Sequence, residues 1–408
     1  VVYGTTHDYT AMTYVHIYEM SDREEPELLK TLEFEGNYHQ SRMKGDYVYM
    51  ATTYSPILRP QPLPIIMEDG VESRIMPVDI FRFPIPYDGV QLTTLHAIDL
   101  NTMETKSKAI ASESGQTLYM SHDNIYLAFT KYIDEWQIRQ DVIIDMMQDE
   151  VSATDRALIE MIHAIDDKIL SPAEKQMKIL QIIERHIAYL DDDDQDALEQ
   201  EAERRVRSII EKDPFVEQTY LVRVKYNELD LDIEAETTLP GRLNNQFAMD
   251  EYDDALRLAT TVTKLVYEDE TYPERVETNS VYTLDDDLET LDSIINIAKN
   301  ERIYSTRFIG ERLYMVTFER IDPFFVIDLA APEDIEILGE LKIPGFSNYL
   351  HPYDIVWGVS HRFIYDVGDW NNSLTVIPDG VSGQPGSDHF CDQTQMFLEG
   401  EFIEDYVD

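Results

Sequence analysis

Two runs of acidic residues pose the first chemical question. Asp250-Glu251 with Asp253-Asp254, and Asp285-Asp286-Asp287, each stand where one strand-like run turns into the next. Hard carboxylate oxygens gathered in turns suit Ca2+, so Asp250, Glu251, Asp253, Asp285 and Asp287 are the expected metal ligands. The competing reading is a solvated acidic surface, because 80 of the 408 residues are Asp or Glu. Asp191 to Asp194 lacks the spacing and the glycine of an EF-hand loop and reads as a solvated turn between helices. Asp99, Asp328 and Asp366 recur at one position of a repeated run, where a carboxylate bonds the amides of its own turn.

Other chemistry has no motif behind it. The chain contains no G-x-S-x-G elbow, no H-E-x-x-H, no G-x-G-x-x-G and no P-loop. Its ten histidines are scattered, and a Ser-His-Asp triad assembles in space rather than in sequence. Carboxylate pairs of the kind that hydrolyse glycosides are freely available among so many acids, so their presence decides nothing. Trp136, Trp357 and Trp370 offer faces for sugars, although a tryptophan beside a strand more often packs. Asn371-Asn372-Ser373 fits Asn-x-Ser and weakly favours export.

The charge narrows the partners. Against 33 Lys and Arg, the acids leave a net charge of -47. Such a surface lacks the cations that bind phosphate backbones or anionic lipid, so no nucleic acid is expected. It repels itself at low salt and holds counterions in brine, which points to a halophilic or cation-rich setting outside the cell. One cysteine excludes an internal disulfide framework and a four-thiolate metal site. No run of about 18 apolar residues exists, so no transmembrane segment is expected. Neither is a signal peptide visible. Val1-Val2-Tyr3-Gly4-Thr5-Thr6 reads as the middle of a strand, as in a mature or trimmed chain.

Stepping along the chain, a β-rich run recurs six times: Val15–Met20, Leu95–Leu100, Leu221–Tyr226, Ser280–Asp285, Phe324–Leu329 and Arg362–Val367. A second strand signal follows each run 29 to 34 residues on, beginning at Tyr47, Asn124, Ala255, Arg312, Asp354 and Gln395. Two further strands fit between the two signals, as in Glu27–Leu32 and Gly36–Met43. Four strands per unit at this spacing is the pattern of a propeller blade. The predicted fold is therefore an all-β β-propeller of at least six, and six to eight, four-stranded blades. Residues 1–133 and 215–408 supply the blades.

Two insertions interrupt them. Residues 54–92 carry seven prolines, from Pro56 to Pro86, and read as a long loop on one face. Residues 134–214 read as an α-helical insertion. Ile143, Met146 and Met147, then Leu158, Ile162, Ile165 and Ile169, fall at helical spacing. Ser171-Pro172-Ala173-Glu174 is a helix start, with Met177, Leu180, Ile183, Ile187 and Leu190 continuing its apolar face. Leu198, Ala202, Val206 and Ile209 mark a further helix.

Several segments also carry a family resemblance: Asn244–Tyr252 with Leu256–Thr261, Glu301–Phe308, Tyr314–Phe318, Asp322–Leu329, Gly339–Ser347 and His351–Asp354. In these the chain resembles the secreted β-propeller-domain proteins of archaea and some bacteria, distant relatives of WD-40 propellers. The resemblance covers nearly the whole chain, is strongest from 240 to 355 and fades after 370; Asp388-His389-Phe390 follows the pattern only loosely. It implies export and a cell-surface or extracellular location, and carries over no catalytic residue. The functional expectation is a non-enzymatic binding or assembly scaffold for protein or glycan at the cell surface, able to self-assemble into a surface layer or filament. The alternative is a propeller hydrolase or lyase acting on polysaccharide.

Overall fold

A computed structural model describes residues 2–8, 10–56, 63–85, 87, 89–166, 169–267, 273–318, 322–343, 346–353, 356–362 and 373–375. Contacts divide the chain into two compact units. The first comprises 1–130, 219–261 and 278–408, and the second 131–218 with 262–277.

The first unit is built from meandering sheets. β1 (Val2–Asp8), β2 (Thr10–Glu19) and β3 (Glu27–Glu35) form one sheet, extended past β3 by β6 (Ile65–Glu68) and β7 (Val71–Arg74). The next runs β4 (Asn37–Lys44), β5 (Tyr47–Tyr54), β9 (Gln91–Asp99) and β10 (Thr105–Ser112), with β8 (Ile80–Arg82) parallel to β10 at its edge. The third is β11 (Thr117–Met120), β12 (Asn124–Tyr132), β13 (Glu217–Asn227) and β14 (Asp230–Pro240). In the fourth, β15 (Arg242–Leu243) and β16 (Met249–Tyr252) both pair with β17 (Ala255–Val266), followed by β18 (Glu274–Leu284) and β19 (Thr290–Ile297). β20 (Arg302–Ile309), β21 (Arg312–Phe318), β22 (Asp322–Asp328) and β23 (Glu336–Ile343) make the fifth. β24 (Phe346–Tyr353), β25 (Val356–Arg362) and β26 (Ser373–Thr375) make the sixth.

The strand periodicity explains how these sheets stack. Successive side chains leave a strand on opposite faces. On β5, Val48 and Met50 join Val15, Ile17, Leu32 and Phe34 of the preceding sheet, while Tyr49 and Ala51 join Leu118, Leu127 and Val224 of the following one. The same division recurs on β17. Leu256 and Leu258 join Tyr126 and Leu221 of the third sheet, and Ala259 joins Leu313 and Met315 of the fifth. The second, third and fourth sheets are thus covered on both faces by their neighbours in the chain. Their middle strands are rich in apolar residues at successive positions because neither face meets water, and each fully buried large side chain contributes about 1.5–3 kcal/mol.

The repeated runs lie on strands, and the chain passes from the first sheet to the second at Gly36, between β3 and β4. The second, third and fourth units each begin on the third strand of one sheet and end on the second strand of the next, as with β9 and β12. The fold corrects two sequence expectations. The first is in the proline-rich segment. It is not a plain loop, because β6, β7 and β8 satisfy their backbone groups at the edges of two sheets. Proline is tolerated at such edges, where no further ladder bond is needed. Second, Asp191 to Asp194 begin a helix rather than a turn, as described below. The strand run at 363–367 and the signal at Gln395 lie outside the described residues.

The second unit contains α1 (Glu135–Met147), α2 (Ala153–Ala164), α3 (Pro172–Ile187) and α4 (Asp192–Lys212). Ser171 and Glu174 form the predicted capping box. Asp191 caps α4, and Asp192, Asp193 and Asp194 occupy its first turn, where the helix dipole favours anions. Ile159, Ile162, Ile179, Ile182 and Ile183 form one core cluster of this unit. Val142, Ala202, Val206, Ile210, Val216 and Leu265 form another. Met177 and Ile209, expected on apolar faces, are 58% and 45% exposed.

Candidate functional site

The β16–β17 hairpin carries most of the first acidic run. Its two-residue turn, Asp253-Asp254, has both residues left-handed, at φ 51° and 62°, as a type I′ turn requires. Asp tolerates this conformation better than most residues. Asp250 stands in register with Arg257 and Glu251 with Leu256. Because Asp250 and Glu251 are consecutive in a strand, their side chains leave on opposite faces and serve different partners.

Asp250 pairs with Arg257, whose side chain is 1% exposed. That guanidinium also donates to the Gly310 carbonyl at 2.6 Å and lies 4.7 Å from the Tyr252 ring centre and 5.3 Å from that of Phe308. On the other face, Glu251 accepts hydrogen bonds from Asn124 Nδ2 at 3.0 and 3.1 Å and from the Tyr126 hydroxyl at 2.7 Å. Its backbone N–H donates to the Tyr119 hydroxyl at 3.1 Å. Burial, and then the neighbouring Glu251 carboxylate, push the Tyr126 phenol well above its ordinary range, so it remains a donor. Arg223 extends the network, donating to Asn124 Oδ1 and pairing with Glu234 at 3.0 Å and Asp286 at 3.5 Å.

The second acidic run is organised by its own turn. Asp285 Oδ1 accepts from the Asp287 and Glu289 amides at 2.9 and 2.8 Å, and Asp287 is exposed. Among the described residues, no three His, Cys, Asp or Glu side chains gather as a metal site would require. Asp99 and Asp328 do bond turn amides, at Asn101 and Ala330. The bond from the Asn101 amide, with those from Thr102, holds the Asp99 carboxyl below its usual range. Asp366 and Trp370 lie outside the described residues.

A cleft of about 270 Å³ opens beside Asp250. Gln40, Gln246, Asp250 and Arg307 supply its polar lining. Tyr119, Phe247 and Phe308 supply aromatic surface, with Met120 and Met249 behind them. Phe247 is set by a short turn in which the Asn245 side chain accepts from the Phe247 N–H at 2.9 Å. Its carbonyl accepts from the Thr306 hydroxyl, also at 2.9 Å. The Arg307 guanidinium lies 3.9 Å from the Phe247 ring centre and donates to the Thr306 carbonyl, a cation–π arrangement. The cleft thus brings polar groups, of which Asp250 and Arg307 are held by protein partners, against an aromatic wall.

Sequence reasoning missed the buried cations. Arg223 and Arg257 interrupt the apolar runs Leu221–Tyr226 and Ala255–Thr260, and an arginine inside a strand covered on both faces needs a built partner. That interruption was the available signal. The cleft had no comparable signal, because its lining comes from β4, β11, β16, β20 and the turn at 246–248.

Successive antiparallel sheets packed face to face define a repeat-built β protein. The chain belongs to the β-propeller domain family, whose match spans residues 2–361. An uncharacterized protein of Archaeoglobus fulgidus is 32% identical over 329 residues, covering 79% of this chain and 50% of that protein. One of Methanocaldococcus jannaschii is 29% identical over 338 residues, covering 82% and 52%. The chain therefore spans about half the length of these relatives. A mutant of Synechocystis apocarotenoid oxygenase aligns with a TM-score of 0.32 at 8% identity, covering 84% of this chain and 57% of that one. So low a score carries no argument.

Proposed function

We propose that this chain is a binding scaffold at the cell surface or outside the cell, and that the Phe247–Arg307 cleft is where it recognises protein or glycan. The observation that carries this reading is the convergence of aromatic surface, two amides, a carboxylate and a guanidinium on one cavity of about 270 Å³. The surface charge of -47 fits a protein that works among abundant cations.

Immobilised chain, exposed to a glycan array and to archaeal envelope proteins, tests this. Retention that disappears in a Phe247→Ala, Arg307→Ala double variant supports the reading. No retention by the wild type, or equal retention by the variant, overturns it. Assembly into a surface layer or filament extends the same reading. Light scattering with and without divalent cation and high salt tests that extension, and a monomer under every condition counts against it.

A further inference from the structure

We infer that the cleft takes a single neutral sugar ring, the terminal hexopyranose of a glycan; this rests on the binding reading above and names its ligand class. Size comes first. Sites for drug-sized ligands run from about 300 Å³ upward, so 270 Å³ suits one ring rather than an oligosaccharide. Shape comes next. Arg307 covers one side of Phe247, yet the residue remains 47% exposed. Much of its remaining surface is therefore open, as an apolar platform for the C–H face of a sugar must be.

The polar groups match hydroxyls. A hydroxyl both donates and accepts. The Gln40 and Gln246 amides can do both as well, and the Asp250 carboxylate accepts only. Arg257, on the neighbouring strand β17, holds Asp250 in place, so its orientation is set before a ligand arrives. Such pre-ordering reduces the cost of binding.

Charge selects among sugars. Arg307 is already engaged by the Thr306 carbonyl and the Phe247 ring. Asp250 is paired with Arg257, so selection against anions comes from the protein's overall net charge of -47. A uronate carboxylate would meet the field of that charge, whereas a neutral ring would not.

The test is a titration of the full chain with methyl hexopyranosides and, in parallel, methyl hexopyranosiduronates, followed by calorimetry and saturation-transfer NMR. At least one neutral glycoside is expected to bind, with the uronates weaker. Phe247→Ala is expected to weaken binding about tenfold or more. Gln246→Ala, at a residue that is itself exposed, is expected to weaken it without changing the thermal midpoint, which separates a binding effect from misfolding. Binding of uronates as tight as that of neutral glycosides overturns the neutral-sugar assignment. So does the absence of any saccharide binding. If the double variant still abolishes retention of an envelope protein, the cleft remains a recognition site and only its ligand class is wrong.

Discussion

Asp250 and Arg257 face each other across the β16–β17 hairpin as an ion pair whose cation is 1% exposed and whose anion is 28% exposed. The asymmetry in burial makes the two halves unequal. Asp250→Asn leaves a buried guanidinium without its counter-charge, which costs about 3–5 kcal/mol. Arg257→Met leaves a carboxylate that water can reach, and its cost is smaller. Urea unfolding of both variants checks this. A larger loss for Arg257→Met would contradict it.

His96 is the buried titrating group whose sign is easiest to read. Its Nε2 lies 3.1 Å from the Thr52 hydroxyl, its Nδ1 2.7 Å from the Ser107 hydroxyl, and its ring centre 3.9 Å from that of Phe34. Burial holds its pKa down at about 3 against an ordinary 6.5. Between those values the unfolded chain binds a proton that the folded chain refuses, so folding stability falls as pH drops from 6.5 toward 3. The slope from this one group is about 1.4 kcal/mol per pH unit. Stability curves of wild type and His96→Gln are expected to differ by that slope below pH 6.5 and to run parallel above it. Parallel curves throughout would contradict the assignment.

Gly36 joins β3 to β4 and so carries the chain from one sheet into the next. Its φ is +117°, and a Cβ there would stand 2.6 Å from the Thr53 carbonyl oxygen. Its carbonyl also accepts from the buried Thr13 hydroxyl at 2.9 Å. Gly36→Ala is expected to cost about 1–3 kcal/mol or more in strain, read as a lowered melting temperature. An unchanged melting temperature would contradict the geometry. Gly45→Ala, with φ +59° and nothing within 4 Å of the added carbon, is the milder control.

Salt acts on the whole surface. With 80 acids against 33 basic residues, like charges repel across distances that molar salt screens to about 3 Å. The melting temperature is expected to rise with sodium chloride up to at least about 1 M. Calcium chloride at matched ionic strength is expected to add no specific increment, because Asp250, Glu251 and Asp285 already accept hydrogen bonds from protein donors. A calcium increment abolished by Asp253→Asn with Asp287→Asn would contradict that expectation.

The strand repeat was legible because it depends on local order. Apolar runs such as Leu95–Leu100 recur wherever a middle strand is covered on both faces, and the helix start at Ser171 is written within four residues. Pairing across the proline-rich segment was not legible, since it joins Tyr47 to Asp99 and no local residue marks so distant a neighbour. The acidic runs looked alike in sequence, yet they divide by register. Alternation sends Asp250 and Glu251 to opposite faces, and a turn claims Asp285. The cleft was hidden for a related reason: Gln40, Tyr119, Phe247 and Arg307 converge only when the second, third, fourth and fifth sheets are placed together.

Methyl-labelled methionine NMR reports whether a ligand docks beside Asp250, because Met120 and Met249 line the cleft, Met315 sits in a sheet core, and Met161 and Met177 lie on the helices. Titration with the neutral methyl hexopyranoside that binds best is predicted to shift the Met120 and Met249 methyl signals and leave those of Met315, Met161 and Met177 in place. Shifts confined to the helical methionines, with Met120 and Met249 unmoved, would contradict the account.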